Sequence, residues 1–549
     1  MKIEIKTGGK RSVISHLKKN YGLSNAVATI IARRSDESFF VMPWERKELE
    51  EIEGEITASK FIKANKDLKT RVIGDYDIDG VMSTFILVDG LRSFGMNVDY
   101  YLPKRKTDGY GLNPNIVKKA IEDKVEMLIT CDNGICAHES VQIAKENGLK
   151  VVVTDHHIPS DTLPNADVIC NPHLSKSPEQ CGATVAYKII RHLLDDMPNK
   201  YFEAMAFATV GDVMPLLGEN RQIVQEGLEM MEQSKWEFLN VLVDLAENPQ
   251  YASNRITARD IGFTFGPCIN AAGRMSDAEI AERLCLCDDK NELVKGVRGL
   301  IDLNEQRKEL CTVATEEAIQ KVNKEDKILV VCLENASDSI VGIIAGRLVE
   351  QFYRPAIVLT HMPDGTLKGS CRSTDNYNIY EGLKECEKYL TRFGGHKKAA
   401  GLGLEEKNLD TFRREINANC KEIFEKKIVC DIRLAKVKTS VLLVREISTL
   451  EPFGEGNPEP IFAKDVVITS LRRCGKENQC ILVFCESGDK GIAFDGDEFE
   501  ENLNSLFGKE KVQKVFDAKD TLSCTLAFRL SESEYNGNSE VSLLILGAK

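Results

Sequence analysis

No Gly-x4-Gly-Lys-Ser/Thr segment occurs in the 549 residues, which excludes a kinase or transferase that cradles nucleotide phosphates in a P-loop. No apolar run approaches membrane-spanning length, and the start, Met1-Lys-Ile-Glu-Ile-Lys6, lacks the apolar stretch of a signal peptide. Both absences predict a cytoplasmic protein with no membrane partner. The 17 cysteines are odd in number and include no Cys-x-x-Cys, so neither a disulfide framework nor a zinc site is expected. Positive charge is in deficit as well: 72 Lys and Arg face 85 Asp and Glu, for a net charge of −13. A protein that coats duplex nucleic acid needs the opposite balance, because phosphate neutralisation supplies most non-specific affinity. A narrow, locally basic groove beside an acidic metal centre remains compatible with it. Repeats and low-complexity tracts are absent, and the hydrophobic share of 42% is that of an ordinary globular chain, long enough for roughly three or four domains.

What is present is acid in unusual places. Gly74-Asp-Tyr-Asp-Ile-Asp-Gly80 follows the short apolar run Arg71-Val72-Ile73. In an extended segment alternate side chains share a face, so Asp75, Asp77 and Asp79 are expected to converge. Carboxylates crowded in this way repel one another unless a cation sits among them, and an oxygen-rich site suits Mg²⁺ or Mn²⁺. A second apolar run, Leu128 to Cys131, ends in Asp132-Asn-Gly134; a third, Val151 to Thr154, ends in Asp155-His156-His157. Gly211-Asp212 closes the helix-like stretch from Phe202 to Val210. The chain has only eight histidines, and two of them are adjacent here.

Helical patterns at Asn115–Glu122 and Ala137–Glu146 lie between the apolar runs. Alternation of this kind predicts a parallel, doubly wound sheet, which binds ligands at the carboxyl ends of its strands. A helix-favouring stretch from about Asp277 to Val322 follows, with Leu284, Leu293, Val297 and Leu300 at helical spacing. A second α/β unit then begins at Ile328-Leu-Val-Val-Cys332, with a helix over Ser339–Val349 and a strand at Ala356–Leu359. From about residue 430 short β-type runs are punctuated by Gly and Asn, which reads as an all-β domain.

Asp75-Tyr-Asp-Ile-Asp-Gly80, Asp132-Asn-Gly134 and Asp155-His156-His157 resemble the motifs of the DHH phosphoesterases. More narrowly, Leu102 to Leu112, Ile269 to Met275, Lys368 to Ser373, Phe393 to Gly401 and Pro452 to Pro460 resemble blocks of the RecJ-type single-strand-specific exonucleases, in family order. The resemblance implies an N-terminal segment over 1–50 (with Tyr21 and Trp44, role unassigned), a DHH catalytic domain over 51–285, a connecting helix over 286–325, a DHH-associated substrate-binding domain over 326–428 and an OB-like β-barrel over 429–549. It also implies two Mn²⁺ or Mg²⁺ ions, Asp75 and Asp77 holding one, Asp79, His156 and Asp212 the other, and Asp132 bridging. Two ions about 4 Å apart suit in-line displacement at phosphorus. Asp155 and His157 would sit behind the metal ligands or against the scissile phosphate. Arg105, Arg274, Ser370 and Arg372 would hold the strand end and backbone, and Gly394, Gly395 and His396 would form a phosphate-binding turn.

The implied activity is 5′→3′ hydrolysis of single-stranded DNA in repair and recombination, with single-strand-binding protein and a helicase as partners. An oligoribonuclease or small-nucleotide phosphodiesterase of the same superfamily, and a non-catalytic nucleic-acid-binding scaffold, are the alternatives. One block departs from the family pattern. Ser337-Asp-Ser-Ile-Val-Gly-Ile343 stands where RecJ-type chains often carry His-Pro-Gly-Val ahead of Val-Gly-Ile.

Overall fold

A computed structural model describes residues 2–34, 47–105, 107–246, 255–535 and 538–549; Trp44 and Lys106 lie outside the described residues. Contacts divide the chain into two compact units, one over Lys47–Phe424 with Gly454–Gly456, the other joining the described N-terminal residues to Glu425–Phe453 and Asn457–Lys549.

The larger unit opens with a five-stranded, wholly parallel sheet in the order Val98–Tyr101, Thr70–Ile73, Met127–Thr130, Lys150–Thr154, Val168–Cys170. Its central strands are short and almost uniformly apolar because helices cover both faces. The two-residue side-chain period divides them between two cores: Val72, Ile129 and Val152 enter one, Ile73, Leu128, Val151 and Val153 the other. Successive strands from Thr70–Ile73 step first to one side and then to the other. The strand order therefore reverses between Thr70–Ile73 and Met127–Thr130, where doubly wound sheets open a crevice at their carboxyl ends.

The helix-favouring stretch resolves into Glu279–Cys285 and a 32-residue helix, Lys290–Lys321, which starts where Asp289 accepts the amides of Asn291 and Glu292. That helix is about 48 Å long. Its first half gives Leu293, Val297 and Leu300 to the core of the first sheet, and its second half gives Cys311, Ala314 and Ala318 to the core of the next. The second sheet is mixed, ordered Leu390–Gly395, Ala399–Glu405, Thr366–Arg372, Ala356–His361, Leu329–Leu333, and only its last two strands are parallel. Helix Val341–Phe352 covers one face, Ile379–Glu385 and Leu409–Asn419 the other.

In the smaller unit Phe462–Cys474, Cys480–Cys485, Lys490–Ala493, Asn538–Ala548 and Leu522–Tyr535 pair in sequence, and the last pairs back with the first. This is a closed five-stranded barrel of the OB type. The all-β expectation for this region needs correction, because three helices lie within it: Val441–Ser448, Gly496–Phe507 and Lys509–Phe516. Phe499, Leu503, Val512 and Val515, at helical spacing, join the barrel core. The N-terminal residues belong to this unit too. Strand Lys2–Ile5 pairs in parallel with Lys427–Cys430, and Leu17, Val27, Ile30 and Ile31 of the first two helices enter the barrel's core.

Lys464, fully buried in the barrel, donates to Asp489, the Thr439 hydroxyl and the Val437 carbonyl. Burial pushes the Asp489 carboxyl up, but Lys464, the Ser487 hydroxyl and the Thr439 amide outweigh it and hold the carboxyl below the usual range. Lys464→Met would strand that buried charge, and a loss of about 3 kcal/mol is expected in urea unfolding at neutral pH. Because the folded-state pKa is depressed, the contribution is in place above pH about 4 and fades as the pH falls through the lowered value. A variant as stable as the parent at pH 7 would contradict this account.

Candidate metal centre and anion pocket

The three carboxylates after the first strand converge by a different route from the expected extended alternation. Asp77 Oδ1 accepts the amides of Asp79 and Gly80, so it caps a helix that begins at Ile78, and Asp79 lies in the first helical turn. Asp-Ile-Asp-Gly is thus a strand-to-helix turn. Asp79 is fully buried, and its two oxygens accept the amides of Gly182 (2.6 Å) and Ala183 (2.8 Å) at the start of helix Gly182–Ile190. Gly182 leaves little room there: a Cβ would stand 3.0 Å from the Asp132 side chain, Asp79 Oδ2 and Ser83 Oγ together.

Asp132 follows strand Met127–Thr130 with φ +60°, a left-handed conformation that Asp tolerates better than most residues. Asn133, wholly buried, fixes that conformation. Its amide nitrogen lies 2.8–3.1 Å from the carbonyls of Ile73, Gly74 and Cys131, and its oxygen accepts Leu112 N–H at 3.0 Å. Val213, directly after Asp212, also has positive φ (+57°), a strained state for a β-branched residue at the rim of the same site.

The centre of the site is His156 Nε2, 3.0 Å from Asp132 Oδ1, 3.5 Å from Asp79 Oδ2 and 3.7 Å from Asp212 Oδ2. Three groupings of ligand atoms fall within 4.8 Å among the described residues, Asp132–His156–His157, Asp79–His156–Asp212 and Asp75–Asp77–Asp132. Burial, and then the neighbouring carboxylates, push Asp132, Asp75 and Asp212 well above the usual carboxylate range. Burial lowers His156, which favours the neutral, ligating imidazole. Asp75 Oδ1 is buried with no hydrogen-bond partner. An orphaned carboxylate oxygen among repelling acids and a neutral imidazole is the donor set that a pair of divalent cations fits.

Asp155 turns inward. Its Oδ1 accepts His156 N–H (2.7 Å), His157 N–H (3.1 Å) and the His157 ring at Nδ1 (2.8 Å), and its Oδ2 accepts Ile135 N–H (2.9 Å). Burial pushes Asp155 up, but these donors leave it below its ordinary value. Burial likewise lowers His157, yet Asp155 outweighs that and raises the imidazole to about 9. His157 is half-exposed and faces Tyr110, whose hydroxyl lies 3.2–3.3 Å from the ring nitrogens and 3.0 Å from the Asp132 carbonyl. Tyr110 has no role in the sequence reading, although it lies inside the Leu102–Leu112 block.

The basic residues gather at one side. Arg105 lies 4.9 Å over the Tyr76 ring. Arg274 donates to the Ser339 carbonyl (2.9 Å), within the block that departs from the family pattern. Burial lowers Arg274 to about 10, and the neighbouring charges of Arg105, Arg307 and Arg372 add to the effect. Arg372 donates to Ser370 Oγ (3.0 Å) and the Cys371 carbonyl (2.8 Å). Arg307, on the long helix, is a further cation that sequence reasoning missed, and its Nε is buried without a partner. Lys104, by contrast, is tied to Asp277 at 3.0 Å. Gly394 and Gly395 end one strand of a hairpin and His396 lies in its exposed turn, joined to the acids by no described hydrogen bond or ion pair. Gly395, at φ +143°, could carry no Cβ, which would stand 2.5 Å from the Ala399 carbonyl.

Three family models match: the DHH family N-terminal domain over 69–209, the DHHA1 domain over 325–422 and the RecJ OB domain over 430–546. The chain is 30% identical over 545 residues to the single-stranded-DNA-specific exonuclease RecJ of Escherichia coli, covering 92% of this chain and 91% of that protein. It is 31% identical over 484 residues to the protein of that name from Bacillus subtilis, covering 84% of this chain and 60% of the longer relative. RecJ from Thermus thermophilus, solved in complex with Mn²⁺, superposes with a TM-score of 0.84 at 26% identity over 100% of this chain and 79% of that one; a second structure of it holds Mg²⁺.

Proposed function

Since the chain belongs to the RecJ family of DHH proteins, we propose that it is a metal-dependent exonuclease specific for single-stranded DNA, acting from the 5′ end in DNA repair and recombination. The observation that carries the reading is the meeting of two acid clusters beside Asp132 and His156, at the reversal point of a parallel sheet. Asp75 and Asp77 would hold one Mn²⁺ or Mg²⁺, Asp79, His156 and Asp212 the other, with Asp132 between them. When bound, the ions activate water and stabilise the leaving oxygen of an in-line displacement. His157, protonated near neutral pH and held by Asp155, donates to a phosphate oxygen. Arg105, Arg274, Ser370 and Arg372 engage the terminal phosphate, and the hairpin turn Gly394-Gly395-His396 supports the strand. All six proposed ligands are present, which disfavours a non-catalytic scaffold, and the added barrel unit disfavours a small-nucleotide phosphodiesterase.

No described helix is long and apolar enough to cross a membrane. The seventeen free cysteines fit a reducing cytoplasm, where single-strand-binding protein and a helicase would supply substrate.

Single-stranded DNA labelled at one end and then at the other, incubated with Mn²⁺, tests the reading. Mononucleotide released from the 5′ side and stopped by chelator is the expected result; silence on DNA with turnover of short RNA would refute it. Arg372→Ala is expected to slow cleavage of 5′-phosphorylated strands about 10- to 100-fold, the worth of a charged hydrogen-bond pair, and of 5′-hydroxyl strands far less. Equal loss on both substrates would contradict end capture.

A further inference from the structure

The smaller unit carries a groove that the catalytic reading does not use. We propose that it binds the backbone of single-stranded nucleic acid, as a contact separate from both the metal centre and the usual binding face of an OB barrel. The proposal rests on the exonuclease reading for the identity of its ligand.

The groove, about 830 Å³, runs between helices Arg11–Tyr21 and Asn25–Arg34 on one side and Ile432–Ala435 on the other. Arg11, Lys18, Arg33 and Arg433 line it, and no Asp or Glu does. In a chain with thirteen more acids than bases, a groove lined by Arg11, Lys18 and Arg33, none paired with a carboxylate among the described residues, beside Arg433, which pairs with Asp465, marks a surface kept for an anion. Two of the four are fixed in place: Arg33 donates to the carbonyls of Asp431 (2.6 Å) and Gly8 (3.4 Å), and Arg433 to Asp465 (3.1 Å). Arg11 and Lys18 are exposed on one face of the first helix, and among the described residues neither pairs with a carboxylate. The Lys18 ammonium lies 3.4 Å from Asn25 Oδ1. Ser15 adds a hydroxyl donor.

No aromatic side chain lines the groove, so it offers no platform on which a base could stack. Its chemistry suits phosphates: cations, a hydroxyl and the open backbone at Gly8 and Gly9, both at positive φ. Binding here is therefore sequence-neutral and strongly dependent on salt. None of the five strands that close the barrel contributes to the groove, whereas OB folds usually bind on their second and third strands.

The test uses the full chain carrying Asp132→Ala, so that binding is read without cleavage. Oligo-dT of about 30 nucleotides and of about 6 nucleotides, spanning the site sizes of single OB folds, are titrated by fluorescence anisotropy over a range of salt. Adding Arg11→Gln with Lys18→Gln is expected to weaken binding of the long strand about 10-fold at low salt. The slope of log affinity against log salt should become shallower by about 1.4, which is two phosphate contacts at about 0.7 each. The hexamer should be unaffected. Unchanged affinity and slope would overturn the proposal, and so would an equal loss on the hexamer. If Arg11→Glu with Lys18→Glu costs affinity only for a labelled deca-aspartate peptide, the occupant is an acidic protein segment and the strand assignment falls. Failure of the unsubstituted chain to cleave DNA would count against the exonuclease reading instead, whatever these variants bind.

Discussion

Replacing Asp132 by alanine or asparagine is expected to lower metal-dependent cleavage of single-stranded DNA by at least about 10³-fold, some 4 kcal/mol of barrier, while the chain stays folded. Asp132 is the carboxylate shared by the two acid groups: it lies with Asp75 and Asp77 on one side and 3.0 Å from His156 on the other. Among the described residues it is the one acid grouped within 4.8 Å both with Asp75 and Asp77 and with His156. Stability should move the opposite way from activity. Burial and the charges of Asp79, Asp77, Asp75 and Asp212 all oppose ionisation of Asp132, so without metal its charge destabilises the fold. A carboxyl whose folded-state pKa is raised contributes stability at low pH that is lost as the pH rises, so in chelator the parent weakens from pH about 4 upward. Asp132→Asn lessens that dependence, to which Asp75 and Asp212 also contribute, and suits φ +60°. In chelator it should melt no lower than the parent. Mn²⁺ at about 100 times its Kd should then stabilise the parent by about 2.7 kcal/mol and the variant far less. Near-normal cleavage by either variant would sink the metal assignment.

The acids and histidines were legible because strands buried on both faces show as bare apolar runs, and the residue just past each run has to lie at the sheet's carboxyl edge. The fold class follows from the same alternation. The expected convergence of Asp75, Asp77 and Asp79 rests on an extended segment, but Asp77 starts a helix, and Asp-Ile-Asp-Gly carries that capping signal as openly as it carries an extended one. Asn133 and Tyr110 act through partners distant in sequence, the carbonyls of Ile73 and Gly74 and the ring of His157, and nothing in their local pattern names those partners. Arg307 shows only as one more charge on a helix with many. The N-terminal strand was opaque for a related reason, because Lys2 pairs with Lys427 across almost the whole chain. The helices Gly496–Phe507 and Lys509–Phe516 were readable from Phe499, Leu503, Val512 and Val515 at helical spacing, yet the surrounding β-type runs masked them.

His157→Ala is expected to lower turnover about 10²- to 10³-fold, in the range of a positioned proton donor, and Asp155→Asn by less. The informative result is their combination. Both oxygens of Asp155 are taken up by amides and by the His157 ring, so Asp155 has nothing left to offer substrate and acts as a positioning residue. It holds a proton at Nδ1 and keeps the imidazolium stable up to about pH 9, against burial that would discharge it. Asp155→Asn should therefore pull the alkaline limb of the kcat profile toward neutral pH. The double variant should be no slower than His157→Ala alone, because a residue acting only through the imidazole has no effect once the ring is gone. Multiplying losses would mean that Asp155 has a second route to the reaction, and the amide of His156, a proposed ligand 2.7 Å from the same oxygen, is where that route would run. An unshifted alkaline limb would show instead that the raised imidazole does not set the rate, and donation to the phosphate would then pass to the arginines.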